Sequence, residues 1–373
     1  MYWLVCLPIL ESEERTWTLL QNKTTYESDY SINFKFAIPE LRVGTLDTLM
    51  VLSDELVKVN ALVESVVNKI RRQLFEMASP GRDDDFQEVS VAGQRPDQYL
   101  ESFSWDAAKF PPRRPLNETV SAITENVQKL EDDLKVRMSE YNQLKGQVTA
   151  AARKQTGSLA VRDLTGLVSE EDAVNTENLL SLFTVVSKHD KAEWLSTYET
   201  LSDFVVPRSS KLIYEDNDYA LYSVTLFKRV ADSFKQAARS KGFQVRDYEF
   251  DQEMQSNQSE AAQSLKANAD KKRKQLEEWS ASAYGEAFSA WIHICAIRLF
   301  VESILRYGLP PRFLAALMKP NQKSTARLRK TLGSLFGNSG TSQYFDGDDK
   351  GAAGLAGDSE MYPYVSFTIS VDG

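Results

Sequence analysis

Residues that most often carry out chemistry are scarce in this chain. Histidine occurs twice among 373 residues, and cysteine twice. His189 stands at the mouth of a predicted helix and His293 inside the most apolar one, and neither has the neighbours that a metal site or a triad needs. Cys6 and Cys295 fall on different predicted elements, which excludes a disulfide framework, fits a reducing compartment and reads as two buried free thiols. No Gly-x-Ser-x-Gly elbow is present, so that hydrolase class is unsupported. The glycine-rich run from Gly351 through Gly354 to Gly357 has no Lys-Ser/Thr after it and no strand feeding it, and reads as a connector rather than a phosphate loop. Asp346, Asp348 and Asp349 echo a calcium loop only faintly, because Lys350 stands at the fifth position and Gly357 in place of the terminal glutamate. The expectation is a protein without catalytic residues, cofactor or metal.

Long uncharged hydrophobic runs are missing as well. The richest window, residues 291–305, is cut by His293, Arg298 and Glu302, which argues against a membrane span. Residues 3–10 are apolar but lack a basic lead-in, contain Pro8 and run straight into Glu11, Glu13 and Glu14, so they read as a first strand and not a signal peptide. Basic residues number 44 against 53 acidic, a net charge of −9, which disfavours general affinity for nucleic acid or an anionic membrane and leaves protein as the expected partner. Lys271, Lys272, Arg273 and Lys274 are followed by Glu277 and Glu278, the pattern of a solvated helix face.

What the chain does have is apolar periodicity. Val120, Ile123, Val127, Leu130, Leu134, Tyr141, Leu144 and Val148 step by three, four or seven, with Arg137 breaking the row; one helix over 117–153 would be about 55 Å long. A second row runs Leu265, Ala269, Lys272, Leu276, Trp279, Ala283, Ala290, Ile294, Ile297, Val301 and Ile304, its end already within a globular part. A third, from Leu49 to Met77 behind a Thr45 N-cap, belongs to that globular part's own packing. Strands are expected over 3–7, 32–38, 86–91, 99–105 and 362–371, the last joining the amino-terminal sheet. Between the two long rows, 157–250 reads β-α-β-β-α-β: a strand at 179–186, a helix at 191–200 with Trp194, Leu195 and Tyr198 on one side, a hairpin at 211–226, a helix at 227–241 with Phe227, Val230, Ala231, Phe234 and Ala238 inward and Gly242 as its cap, and a strand at 243–250. A short helix is expected at 324–336, and no internal sequence repeat stands out.

The helix at 227–241 carries Lys228, Arg229, Lys235, Arg239 and Lys241 against Asp232 alone, in a chain that is otherwise acidic. Such a face suits an acidic partner helix; the competing explanation is a helix whose C-terminal cations complement its own dipole. Tyr248 and Phe250 are weaker partner-binding candidates, since alternate strand positions point into the core.

Specific strings then point further. Val43-Gly44-Thr45-Leu46-Asp47, Leu52-Ser53-Asp54-Glu55-Leu56, Val205-Val206-Pro207-Arg208-Ser209-Ser210, Val224-Thr225-Leu226-Phe227, Val301-Glu302-Ser303-Ile304-Leu305-Arg306-Tyr307-Gly308-Leu309-Pro310 and Tyr362-Pro363-Tyr364-Val365 resemble, in order along the chain, the C subunit of the eukaryotic vacuolar-type proton-pumping ATPase (V-ATPase, V1 sector), and Gly354-Leu355-Ala356-Gly357-Asp358 looks plant-like. The resemblance implies an α+β dumbbell: a foot at 1–116 and 286–373, an outgoing neck helix at 117–156, a head at 157–250 and a returning neck helix at 251–285. It implies a non-catalytic stator component that ties peripheral stalks, built from the E and G subunits, to the amino-terminal domain of the membrane-sector a-subunit and leaves during reversible disassembly. It further implies a place on the cytosolic face of vacuolar and other endomembranes, release into the cytosol, and actin as a partner of some members. The alternative is an independent coiled-coil adaptor or actin-binding protein; a nucleotide-dependent enzyme is disfavoured by the missing phosphate loop.

Overall fold

The computed structural model describes residues 1–77, 89–249, 251–337 and 362–371, and the chain divides into two units, Met1–Arg137 with Gln275–Gly373, and Met138–Lys274. In the first unit β1 (Tyr2–Pro8) leads into α1 (Glu13–Gln21), where Ser12 accepts from the Arg15 N–H at 3.2 Å and Glu13 and Glu14 occupy the positive first turn. β2 (Ser31–Lys35) and α2 (Leu46–Met77) follow, the Thr45 hydroxyl receiving the Thr48 N–H as expected of an N-cap. Next come α3 (Pro96–Glu101) and α4 (Leu116–Thr156).

The second unit holds β3 (Leu179–Ser187), α5 (Lys191–Thr197), β4 (Lys211–Glu215), β5 (Tyr219–Phe227), α6 (Ala231–Ser240) and β6 (Gln244–Arg246). After α7 (Gln252–Tyr307), the first unit closes with β7 (Phe313–Pro320), α8 (Thr325–Phe336) and β8 (Val365–Ile369). Helices α4 and α7 each contribute residues to both units.

Each unit carries one four-stranded antiparallel sheet, ordered β2-β7-β1-β8 in the first and β4-β5-β3-β6 in the second. Numbered by appearance within its own sheet, each order is 2-3-1-4, and each chain path is β-α-β-β-α-β. The two units therefore share one topology, a split βαβ, with everything from α2 to α7 inserted between the second and third strands of the first. The carboxy-terminal strand sits beside β1, as its alternation suggests, with Cys6 opposite Val365 and Tyr2 opposite Ile369.

Alternation decides the layers. On β1, Trp3, Val5 and Leu7 face Leu20 of α1 and Leu328, Leu332 and Phe336 of α8. Leu4 and Cys6 are equally buried on the other face, where the Tyr307 hydroxyl of α7 donates to the Cys6 carbonyl at 2.8 Å. In the second unit Leu182, Val186, Tyr222 and Val224 pack against Trp194 of α5 and Phe234 of α6, whereas Phe183, Val185 and Leu221 pack under Leu159, Leu164 and Val168. Within α7 the segment Ser256–Tyr307 contains a stretch apolar and long enough to cross a membrane, but 78% of that stretch is buried, so its apolarity belongs to a core helix.

Several expectations are corrected. In place of a strand over 99–105, Pro96 starts α3, and only Ser104 makes an isolated bridge, to Ala37. Of 86–91, residues 86–88 lie outside the described residues and Val91 makes a single bridge to Gln94. The strand expected over 243–250 is limited to β6, paired with three residues of β3. Leu195 and Phe227, placed inward by periodicity, are 54% and 38% exposed. α1 and β7 occupy stretches where the sequence pattern predicts no element. The glycine-rich run at 351–357, the calcium-like loop at 346–357 and the acidic run Asp83 to Asp85, whose composition reads as a solvated loop, lie outside the described residues.

Candidate partner interface

The basic segment of the second unit is a one-turn 3-10 helix, Lys228–Val230, leading into α6. Ala231, Phe234 and Ala238 fix its inner face in a core with Trp194, Tyr198, Tyr222 and Phe243. Lys228, Arg229 and Arg239 are consequently exposed. Lys235 is different: it is half-buried and forms an ion pair of 2.5 Å with Asp247, and Lys241 reaches Glu193 at 3.8 Å. Among the described residues Lys228 and Arg239 have no ion-pair partner.

Arg229 is held by aromatic rings. Its guanidinium lies 3.7 Å from the ring centroid of Phe204 and 5.8 Å from that of Phe227, and the two rings meet edge to face at 6.0 Å. Phe204 is 53% exposed and sits at φ 62°, with Arg208 at φ 59° in the same loop. Left-handed backbone is unfavourable for such residues, so the loop needs anchors. The Phe227 N–H donates to the Phe204 carbonyl at 3.2 Å, the Val206 N–H to the Thr225 carbonyl at 3.0 Å, and the Arg208 N–H to the Glu199 carboxylate at 2.8 Å. The Arg208 N–H and the Tyr198 hydroxyl hold the Glu199 carboxyl below its ordinary range. A guanidinium held over a ring still has N–H donors to offer a carboxylate, which is the chemistry an acidic partner would bring.

The structure does not bring the six sequence candidates together. Tyr248 follows β6 on the opposite sheet face, packing edge-on against Phe183 at 5.7 Å beneath Leu159 and Leu164, and burial raises its phenol pKa. Phe250 lies outside the described residues. Lys228, Arg229 and Arg239 remain as solvent-facing cations, Lys235 is an internal pair, and Phe204, which sequence reasoning missed, joins Arg229. Nothing in the sequence announces a left-handed phenylalanine.

The histidines and cysteines form no second site. His293 is fully buried among Phe103, Trp105 and Phe110; its Nε2 accepts the Asp106 N–H at 3.0 Å, its Nδ1 meets the Ser289 carbonyl at 2.7 Å, and burial lowers its pKa. His189 is exposed. Both cysteines are free and buried, burial raising the Cys6 thiol and pushing Cys295 up to about 12. Among the described residues no three His, Cys, Asp or Glu side chains gather as a metal site.

The chain as a whole is similar to known proteins. The profile that describes the C subunit of V-ATPase matches residues 2–365. The chain belongs to the V-ATPase C-subunit family. It is 49% identical to the V-type proton ATPase C subunit of Arabidopsis thaliana over 371 residues, covering 99% of both chains. The 1-B form of the C subunit from Danio rerio is 40% identical, with 100% of this chain and 98% of the relative covered, and the Manduca sexta C subunit is also 40% identical, with the same coverage. The C-subunit resemblance read from the strings between Val43 and Val365 thus holds over nearly the whole chain, and the higher identity to the Arabidopsis relative agrees with its plant-like character.

Proposed function

We propose that the chain is a non-catalytic stator component of a V-type proton pump, linking peripheral stalks of the E and G subunits to the amino-terminal domain of the membrane-sector a-subunit. The observation that carries this reading is the near end-to-end match to C-subunit relatives at 38–49% identity. On this reading the chain sits at the cytosolic face of endomembranes in the assembled pump and returns to the cytosol when the pump comes apart. The long helices α4 and α7 then serve as the neck of a dumbbell, with the β-α-β-β-α-β unit as head and the sheet built from both chain ends as foot.

A stator link must hold under torque and still release. That combination favours polar, charge-guided contacts over one large apolar interface. In the head, Lys228, Arg229 and Arg239 supply such contacts, with Phe204 and Phe227 fixing Arg229 in place. Lys235 acts inside the head through Asp247. Titrating the full chain with purified E–G heterodimer tests the reading: saturable binding weakened about tenfold by Lys228→Glu with Arg229→Glu supports it, and unchanged affinity removes these residues from the interface.

A further inference from the structure

In the shared topology of the two units, β5, the 3-10 turn Lys228–Val230 and α6 occupy the same place in the chain path as β7, the 3-10 turn Gln322–Ser324 and α8. Residues 319–336 hold Lys319, Lys323, Arg327, Arg329 and Lys330 and no acid, so this segment is also basic within an acidic chain.

Two of the five cations have internal work. Lys319 reaches Glu101 at 3.2 Å, and Arg329 lies 4.0 Å over Trp3 and 4.2 Å over Tyr362 while donating to the Ser366 hydroxyl at 3.0 Å. Lys323, Arg327 and Lys330 are exposed, and among the described residues none has an ion-pair partner. Arg327 and Lys330, three apart on α8, share the face away from the buried Leu328, Leu332 and Phe336, and Lys323 lies in the turn that leads into the helix.

Helix stability does not explain the row. α8 has no acid in its first turn and no base in its last; Lys323 and Arg327 stand at its positive N-terminal end and Lys330 at its middle. The helix dipole opposes Lys323 and Arg327, and like-charge repulsion opposes all three. α6 differs, since Arg239 lies in its last turn where a cation suits the dipole. A row kept against both effects is one that an outside anion compensates. With a net charge of −9 the whole chain repels polyanions such as nucleic acid or an anionic bilayer, whereas a single narrow row fits carboxylates at matching spacing on a protein helix.

We infer that Lys323, Arg327 and Lys330 form a second docking row, in the unit built from both chain ends, for an acidic helix of another protein in the same assembly. The inference rests on the chain acting within the pump, so the purified pump containing it is the material for the test. Carbodiimide coupling joins lysine Nζ directly to a touching carboxylate, and mass spectrometry identifies the pair. The expected result is coupling of Lys323 or Lys330 to an acidic helical segment of a neighbouring subunit, with both lysines acetylated freely in the isolated chain and protected in the pump. Lys323→Glu with Arg327→Glu and Lys330→Glu should weaken incorporation at least about tenfold and leave the E–G binding of Lys228 and Arg229 unchanged. Coupling only to acids of this same chain, free acetylation inside the pump, or stronger retention on phosphatidylserine vesicles than on pump subunits would overturn it. Failure of the chain to enter the pump at all would instead defeat the assembly reading, which the purification itself reveals.

Discussion

The Arg229 guanidinium lies over Phe204, 3.7 Å from the ring centroid, and Phe204 holds a left-handed backbone at φ 62°. Exposed cation–π contacts are worth about 0.5–1 kcal/mol, and left-handed strain costs a bulky residue about 1–2 kcal/mol. Phe204→Gly removes both. Its stability by urea unfolding should stay within about 1 kcal/mol of the parent, because relief of strain offsets the lost contact. Its affinity for E–G heterodimer should fall nonetheless, as Arg229 loses its support. Parent-like affinity would show that the pair is not a binding element.

Lys235→Ala separates internal from external charge. Because Lys235 already pairs with Asp247 at 2.5 Å, its removal should lower stability by about 0.5 kcal/mol and leave E–G affinity within about twofold of the parent. Calorimetric titration checks both arms, and a tenfold loss of affinity would return Lys235 to the interface.

His293 gives a pH signature. Burial lowers its pKa below the ordinary 6.5, so below that pH the unfolded chain binds a proton that the folded chain resists. Its contribution to stability is therefore intact above pH 6.5 and is lost as pH falls toward the folded value. The melting temperature should drop between about pH 7 and pH 5, and His293→Gln should flatten that slope. An equally steep slope in the variant would assign the loss to other groups.

Gly285 tests packing on α7. A Cβ there would stand 2.7 Å from the Ser90 carbonyl oxygen, and backbone cannot yield as a side-chain tip can. Gly285→Ala should cost about 1–3 kcal/mol, read as a lowered melting temperature, whereas Gly333→Ala, with nothing near its Cβ, should be neutral or slightly stabilising.

Legibility in the sequence follows the reach of the forces involved. α2, α4 and most of the 179–240 module are readable because amphipathic rows, the Thr45 cap and the Gly242 turn at φ 83° are local signals. α1 is also marked, by Ser12 with Glu13 and Glu14, but the acidic end of the first strand masks it. β7 carries Leu, Ala and Met and no β-branched residue; pairing with β1 and β2 on both sides makes it a strand. The common 2-3-1-4 order has no local trace because β2 and β7 pair across the whole inserted span from α2 to α7. α8 is legible as the helix expected at 324–336, but which of its cations are engaged is not, because Glu101, Trp3, Tyr362 and Ser366 reach Lys319 and Arg329 from distant parts of the chain.

Whether this chain works as an assembled stator component is tested most directly by purifying the tagged full chain from its own cells at low salt and measuring what accompanies it by quantitative mass spectrometry. The E, G and a subunits of the pump should accompany it in fixed proportion, and that proportion should fall when the pump is induced to disassemble. Recovery of the chain with cytoskeletal filaments, and of none of those subunits, would contradict the stator role.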